Sequence, residues 1–279
     1  MSFNLNVIAA AALALAGSAA HAALERMNTG NGAITFVALD ANGTPASLMV
    51  DLGYLLSDAD PLNNPAGALL QAGQTFVWNF NNNSLTVNGI AQTGTYNWSA
   101  QYAAFQAAAQ AGDTRYGVIA GATGGFPEFF LTSGNPTPSQ LEQQTIALTA
   151  NMGVVDTLFA NNVSKGTFPL AGEGAAAVVG STSAASGYLG AAGNFGTAGN
   201  WRTNLKWNAL VTEGTTNDFY FMNGDSDDET RLGGQFSYAA GVLTWQTDAP
   251  VVPEPSTYAL ALMGLGIVGF VARRRRAAR

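Results

Sequence analysis

Residues 74–90 read QTFVWNFNNNSLTVNGI. Phe76, Trp78 and Phe80 occupy alternate positions, so an extended chain presents all three on one face. The three asparagines that follow tolerate the backbone angles of a tight turn and disfavour a continuing strand. The stretch therefore predicts an antiparallel hairpin, with a strand over 74–80, a turn at Asn81-Asn82-Asn83 and a return over 84–90.

The same two-residue alternation recurs outward from this hairpin. It appears in ITFVA at 34–38, RYGVIA at 115–120, DFYFM at 218–222 and QFSYAAGVLTWQ at 235–246, where Gly241 marks a bulge or turn. The clearest case is WRTNLKWNALV at 201–211, with Trp201, Thr203, Leu205, Trp207, Ala209 and Val211 on one face and Arg202, Asn204, Lys206 and Asn208 on the other. Two segments carry a helical period instead. Ser99 is the expected cap of a helix to Ala111, with Tyr102, Phe105 and Ala109 on one stripe and Gly112 ending it. Thr137-Pro138 starts a second, with Leu141, Thr145, Leu148 and Met152 before Gly153. Residues 171–200 hold eight Gly and nine Ala, which suits a surface loop, or a linker that splits the chain in two. The expected fold is mainly β, with α+β as the alternative: an antiparallel sheet or sandwich with a few packed helices.

Both ends read as targeting segments. Val7 to Ala16 is an apolar run, VIAAAALALA, and Ala20-His21-Ala22 is a small-x-small cleavage signal, so leader peptidase is expected to cut between Ala22 and Ala23. Residues 2–6, SFNLN, supply no basic side chain to this leader. At the other end Pro253-Glu254-Pro255 precedes Tyr258 to Ala272, an uncharged span, and then Arg273, Arg274, Arg275 and Arg276. A helix of that span rises about 22 Å, short of the roughly 30 Å hydrocarbon core. The arginines form a membrane stop, and their position beyond the span leaves the tail cytoplasmic and everything before it on the far side.

This tail resembles the PEP-CTERM sorting domain of exported Gram-negative bacterial proteins. Pro253, Glu254 and Pro255 fall on the motif, 258–272 on the hydrophobic transmembrane span and 273–279 on the basic tail. The resemblance implies recognition by a membrane-embedded processing enzyme of the exosortase type, transient residence in the inner membrane, removal of the tail and release to the surface, commonly beside exopolysaccharide. The expected organisation is a signal peptide at 1–22, a single exported β-rich domain at 23–250 and the sorting domain at 251–279.

Composition then limits the chemistry. Residues 23–252 hold six Lys or Arg against seventeen Asp or Glu, a formal charge of −11, which repels phosphate backbones and excludes nucleic acid as a partner. The chain has no Cys, and its one His, His21, lies in the leader. Catalytic triads, thiol nucleophiles and His-ligated metals are thereby excluded from the mature part. Among hard-cation ligands, Asp225, Asp227, Asp228 and Glu229 crowd into NGDSDDE at 223–229, an irregular calcium candidate whose bland counterpart is a solvated acidic turn. No other cofactor is expected. Two functions are consistent with these residues. One is a non-catalytic surface or matrix protein associated with exopolysaccharide or biofilm. The other is a polysaccharide-active enzyme using carboxylate pairs such as Asp58 with Asp60 or Glu128 with Glu142. The five tryptophans are expected mainly in the core, with sugar stacking as the competing role.

Overall fold

The computed structural model describes residues 31–40, 44–94, 96–110, 113–122, 128–133, 175–180, 188, 210–223 and 229–249. These strands and the helix fall in the first of two compact units, Met1–Asp248, the second being Ala249–Arg279. The elements are β1 (Ala33–Asp40), β2 (Ala46–Leu55), β3 (Thr75–Asn79), β4 (Ser84–Val87), β5 (Ile90–Ala91), helix α1 (Ser99–Ala108), β6 (Arg115–Ala122), β7 (Glu128–Ser133), β8 (Ala175–Val179), β9 (Val211–Thr212), β10 (Thr216–Asn223), β11 (Glu229–Ala239) and β12 (Val242–Thr247). Every strand pair is antiparallel, and all twelve strands join one sheet in the order β5-β4-β3-β12-β11-β10-β7-β6-β1-β2-β8, with β9 beside β6. Mostly antiparallel β structure with one α-helix is thus the architecture of the described residues. None of their helices is long and apolar enough to cross a membrane.

The sheet folds back on itself. β3 and β2 stand seven places apart in its order, about 34 Å if the sheet were flat. Yet Trp78 Nε1 of β3 donates to Leu52 O of β2 at 2.9 Å, and the Tyr54 ring meets Phe76 edge-on at 5.6 Å. Between the apposed faces lies an aromatic core in which Phe36, Phe76, Trp78, Phe80, Phe236 and Trp245 are all buried. Filling such a space with planar side chains buries a large apolar area per residue, and truncating one to Ala costs about 3–5 kcal/mol.

The hairpin expected at 74–90 is present, with Trp78 opposite Leu85 and Phe76 opposite Val87. Its return is shorter than the sequence suggested, because Asn88 (φ 52°) and Gly89 (φ 76°) turn the chain again and start β5. Two consecutive left-handed residues form the turn that matches strand twist, a role Asn-Gly fills at little cost. The run at 235–246 divides in the same way: Ala240 and Gly241 lie in the left-handed region between β11 and β12. The strand expected at 34–38 is β1, but it is buried at all eight positions, so both its faces are covered. By contrast β3 alternates between buried and half-buried, as a strand with one face outward does.

Three expectations need correction. Part of the Gly/Ala-rich stretch, Ala175–Val179, is no loop: it pairs with β2 as β8, one edge of the sheet. Helix α1 packs against β8 and β2, and alanine allows that close approach although its intrinsic preference is helical. Ser99 does not cap α1 with its own hydroxyl. The N-cap residue is Trp98, which makes no side-chain cap bond, and the cap is supplied from the β3–β4 turn. There Asn83 Oδ1 accepts from the backbone N–H groups of Trp98 and Ser99, both at 2.7 Å, and Asn83 Nδ2 donates to Ser99 Oγ at 3.0 Å. The helix stops at Ala108, earlier than Ala111. Most of the strand expected at 201–211 and all of the helix from Thr137 lie outside the described residues, where only Leu210 and Val211 of the former are seen.

Candidate functional site

Helix α1 is clamped at both ends. Asn83 holds its start, and beyond its last turn the backbone N–H of Gln110 donates to Asp40 Oδ2 at 2.5 Å. Its buried stripe, Tyr102 and Phe105, faces the sheet, where Tyr102 stands 6.0 Å from the ring of Phe80. The β11–β12 turn approaches from the other side. At Gly241 (φ 81°) an added Cβ would lie 2.7 Å from the Tyr102 ring and 2.6 Å from Asn81 Nδ2, so only glycine fits. Asn81 Nδ2 donates to Ala240 O at 2.9 Å, and Glu213 Oε1 accepts from Ala240 N at 2.7 Å, which fixes the turn and the carboxylate together.

Between helix and turn these contacts leave a half-open cavity of about 440 Å³, within the range typical of small-molecule sites. Tyr102, Phe105 and Tyr238 line it with the apolar Ala109 and Ala240, and Gln106, Gln110, Thr114 and Glu213 supply its polar groups. Tyr238 belongs to an aromatic cluster, its ring tilted against Phe36 at 4.8 Å and Tyr116 at 5.3 Å. Tyr116 in turn donates from its hydroxyl to Thr215 O at 2.5 Å.

Burial pushes all three phenols above their ordinary range. For Tyr102 the nearby Glu213 adds to the effect, while its hydrogen bond with Tyr238 opposes it. For Tyr238 the same hydrogen bond and the Glu213 charge both act upward. The phenols therefore stay protonated at any physiological pH and serve as hydrogen-bonding groups rather than proton carriers. Among the described lining residues Glu213 is the one carboxylate, and no second one stands opposite it as in the pair of a glycoside hydrolase.

The carboxylates singled out in the sequence are placed as follows. Asp58 Oδ2 accepts from Leu55 N at 2.8 Å. Asp60 is 4% exposed and accepts from the backbone of Leu62 and Asn63 and from Asn63 Nδ2 at 2.7–3.0 Å. Both hold the shape of their own turn. Glu128 opens β7, and Glu142 lies outside the described residues. Asp225, Asp227 and Asp228 also lie outside them, within the connection from β10 to β11, and Glu229 is the first residue of β11, opposite Met222. Among the described residues no cluster of acids has the arrangement of a metal site. Trp78, Trp98 and Trp245 are at most 1% exposed, so these three are core and present no face to a sugar. Sequence reasoning missed the cavity because its lining comes from four separate stretches. Gln106 on the helix and Gln110 just beyond its end give no local sequence signal of the cavity.

Ala22, Ala23, Pro253 to Pro255 and Arg273 to Arg276 lie outside the described residues. The fold is tied up almost to the tail: Asp248 N donates to Gly233 O at 2.8 Å and Asp248 O accepts from Gly73 N at 2.9 Å. No curated protein and no solved structure matches the chain. Residues 251–276 match the family model of the PEP-CTERM protein-sorting motif, and the chain therefore carries that motif next to its folded β unit.

Proposed function

We propose that this chain is a non-catalytic component of the cell surface or extracellular matrix, associated with exopolysaccharide and delivered by its sorting tail. The observation that carries the proposal is the motif at 251–276, which implies export, transient anchoring in the membrane and processing by an exosortase-type enzyme. Leader peptidase removes residues 1–22, the arginines from Arg273 to Arg276 halt the tail in the inner membrane, and cleavage near Pro253-Glu254-Pro255 then frees the domain. Surface delivery and binding are supported by the acidic mature part, by a preformed cavity whose described lining holds one carboxylate, and by acids such as Asp60 that are spent on local structure. The 223–229 segment has the composition of a calcium ligand set.

Fractionation of cells, membranes and matrix with an antibody to the domain tests the proposal. The wild-type protein should leave the membrane without residues 258–279, and Pro253→Ala with Glu254→Ala should trap the full-length form there. Recovery of tail peptides on protein from the matrix would refute removal of the tail. Release of reducing ends or unsaturated products from the host's own polysaccharide, abolished by changing one carboxylate, would replace the binding role with an enzymatic one.

A further inference from the structure

We propose that the cavity between α1 and the Ala240–Gly241 turn binds one unit of a neutral, hydroxyl-rich sugar, held by Glu213, Gln106 and Gln110 over an apolar floor. The chemistry of the lining selects this class. A sugar hydroxyl both donates and accepts. A carboxylate accepts only, and a carboxamide does both, so Glu213 with two glutamines can satisfy neighbouring hydroxyls in several arrangements. Ala109 and Ala240 supply apolar contact for the C–H groups of a pyranose ring.

Three other ligand classes fit less well. An anion finds no Lys, Arg or His among the described lining residues. An apolar molecule would displace water from the carboxylate and both carboxamides without replacing the hydrogen bonds that water makes to them. A quaternary amine would want open ring faces beside the carboxylate, but the rings of Tyr102, Phe105 and Tyr238 are all at most 3% exposed. The site is also rigid before any ligand arrives. The Asn83 cap, the Glu213–Ala240 bond and the contact of Gly241 with Tyr102 fix its walls, which lowers the ordering cost of binding. The inference rests on the matrix role above for the source of the sugar.

The test uses the full chain in a detergent without sugar headgroups and saturation-transfer NMR. The probes are the methyl glycosides of glucose, galactose and mannose, with glucuronate and tetramethylammonium for comparison. Transfer to at least one neutral glycoside is expected. Glu213→Gln, which keeps an oxygen for the Ala240 N–H, and Gln106→Ala with Gln110→Ala should each weaken binding about five- to tenfold, with thermal midpoints close to wild type. Ile90→Ser, on the exposed β5, should leave binding unchanged. The proposal is overturned by absence of transfer to all three neutral glycosides, by transfer that neither cavity variant reduces, or by preference for glucuronate or tetramethylammonium. Matrix fractionation of the same variants separates the two levels. Wild-type protein that reaches the matrix but binds no neutral glycoside loses the site and keeps the matrix role, whereas sugar binding by a protein never found there does the reverse.

Discussion

Asn83 ties the first hairpin to the helix, and its removal should be felt by the whole unit. Its side chain accepts from two helix N–H groups and donates to Ser99 Oγ, and its backbone sits at φ 55°. Asn83→Ala removes the cap, worth about 1 kcal/mol within a range of 0.5–2. It also places a Cβ-bearing residue without a compensating side chain in the left-handed region, for about 1–2 kcal/mol more. The sum is about 2–3 kcal/mol. At roughly 2–4 °C per kcal/mol for a domain of this size, the midpoint should fall by about 5–10 °C. Asn83→Gly separates the two contributions, since glycine accepts the backbone angle and lacks only the cap, so its loss should be about 2–4 °C. Asn83→Asp keeps the acceptor and adds a charge that favours the helix N-terminus, and it should melt near wild type. Near-UV circular dichroism of the full chain reads these shifts through buried Trp78, Trp98 and Trp245. An Ala variant within 2 °C of wild type, or a Gly variant as unstable as the Ala variant, would refute the reasoning.

Three further outcomes are expected. Gly89→Ala and Gly241→Ala both place Ala at positive φ, but only at Gly241 does the new Cβ meet atoms, so Gly241→Ala should cost about 1–3 kcal/mol more in thermal melts. Burial alone would raise the Asp218 carboxyl, but hydrogen bonds from Arg231, Gln235 and Tyr220 and the Arg231 charge hold it below the ordinary range. Its folded value is thus below its unfolded one, so its contribution is present above about pH 4 and is lost as pH falls further. The pair is partly exposed and worth less than about 1 kcal/mol, and Asp218→Asn should flatten the midpoint-against-pH curve only on that acid limb. Calcium should raise the midpoint of the full chain by binding the 223–229 turn, up to about 2.7 kcal/mol at one hundred times the dissociation constant. Asp225→Asn with Asp227→Asn should abolish the rise, and equal midpoints in calcium and chelator would remove the metal.

Strands that carry their own signal were legible in the sequence. Phe76, Trp78 and Phe80 alternate visibly, and Gly241 marks a turn, because period and turn chemistry are local properties. The Asn88-Gly89 turn is equally local but sits at the end of a plausible strand, so a single return over 84–90 hid it. What depends on distant partners was not legible. The alanines of Ala175–Val179 become a strand through pairing with β2, and the cap of α1 comes from Asn83 rather than from Ser99 beside it. The candidate cavity belongs to this second kind, since Gln106, Glu213 and Tyr238 meet only after the sheet has folded back. The sorting tail is the opposite extreme, a linear signal read without any fold.

The place of β12 has a consequence for the order of events outside the membrane. It is the last strand of the described chain and yet stands inside the sheet, between β3 and β11, with Thr247 bonded to Gln74 across 173 residues. In a chain exported from its N-terminal end, β3 emerges early and must wait for its neighbour, with one flank unpaired and Phe76 and Trp78 uncovered. Such an edge invites pairing with other chains until residues 242–247 arrive to cover it. By then the tail is itself entering the membrane, so the domain closes while still tethered, and each copy completes its sheet at a fixed address rather than among free, half-folded copies.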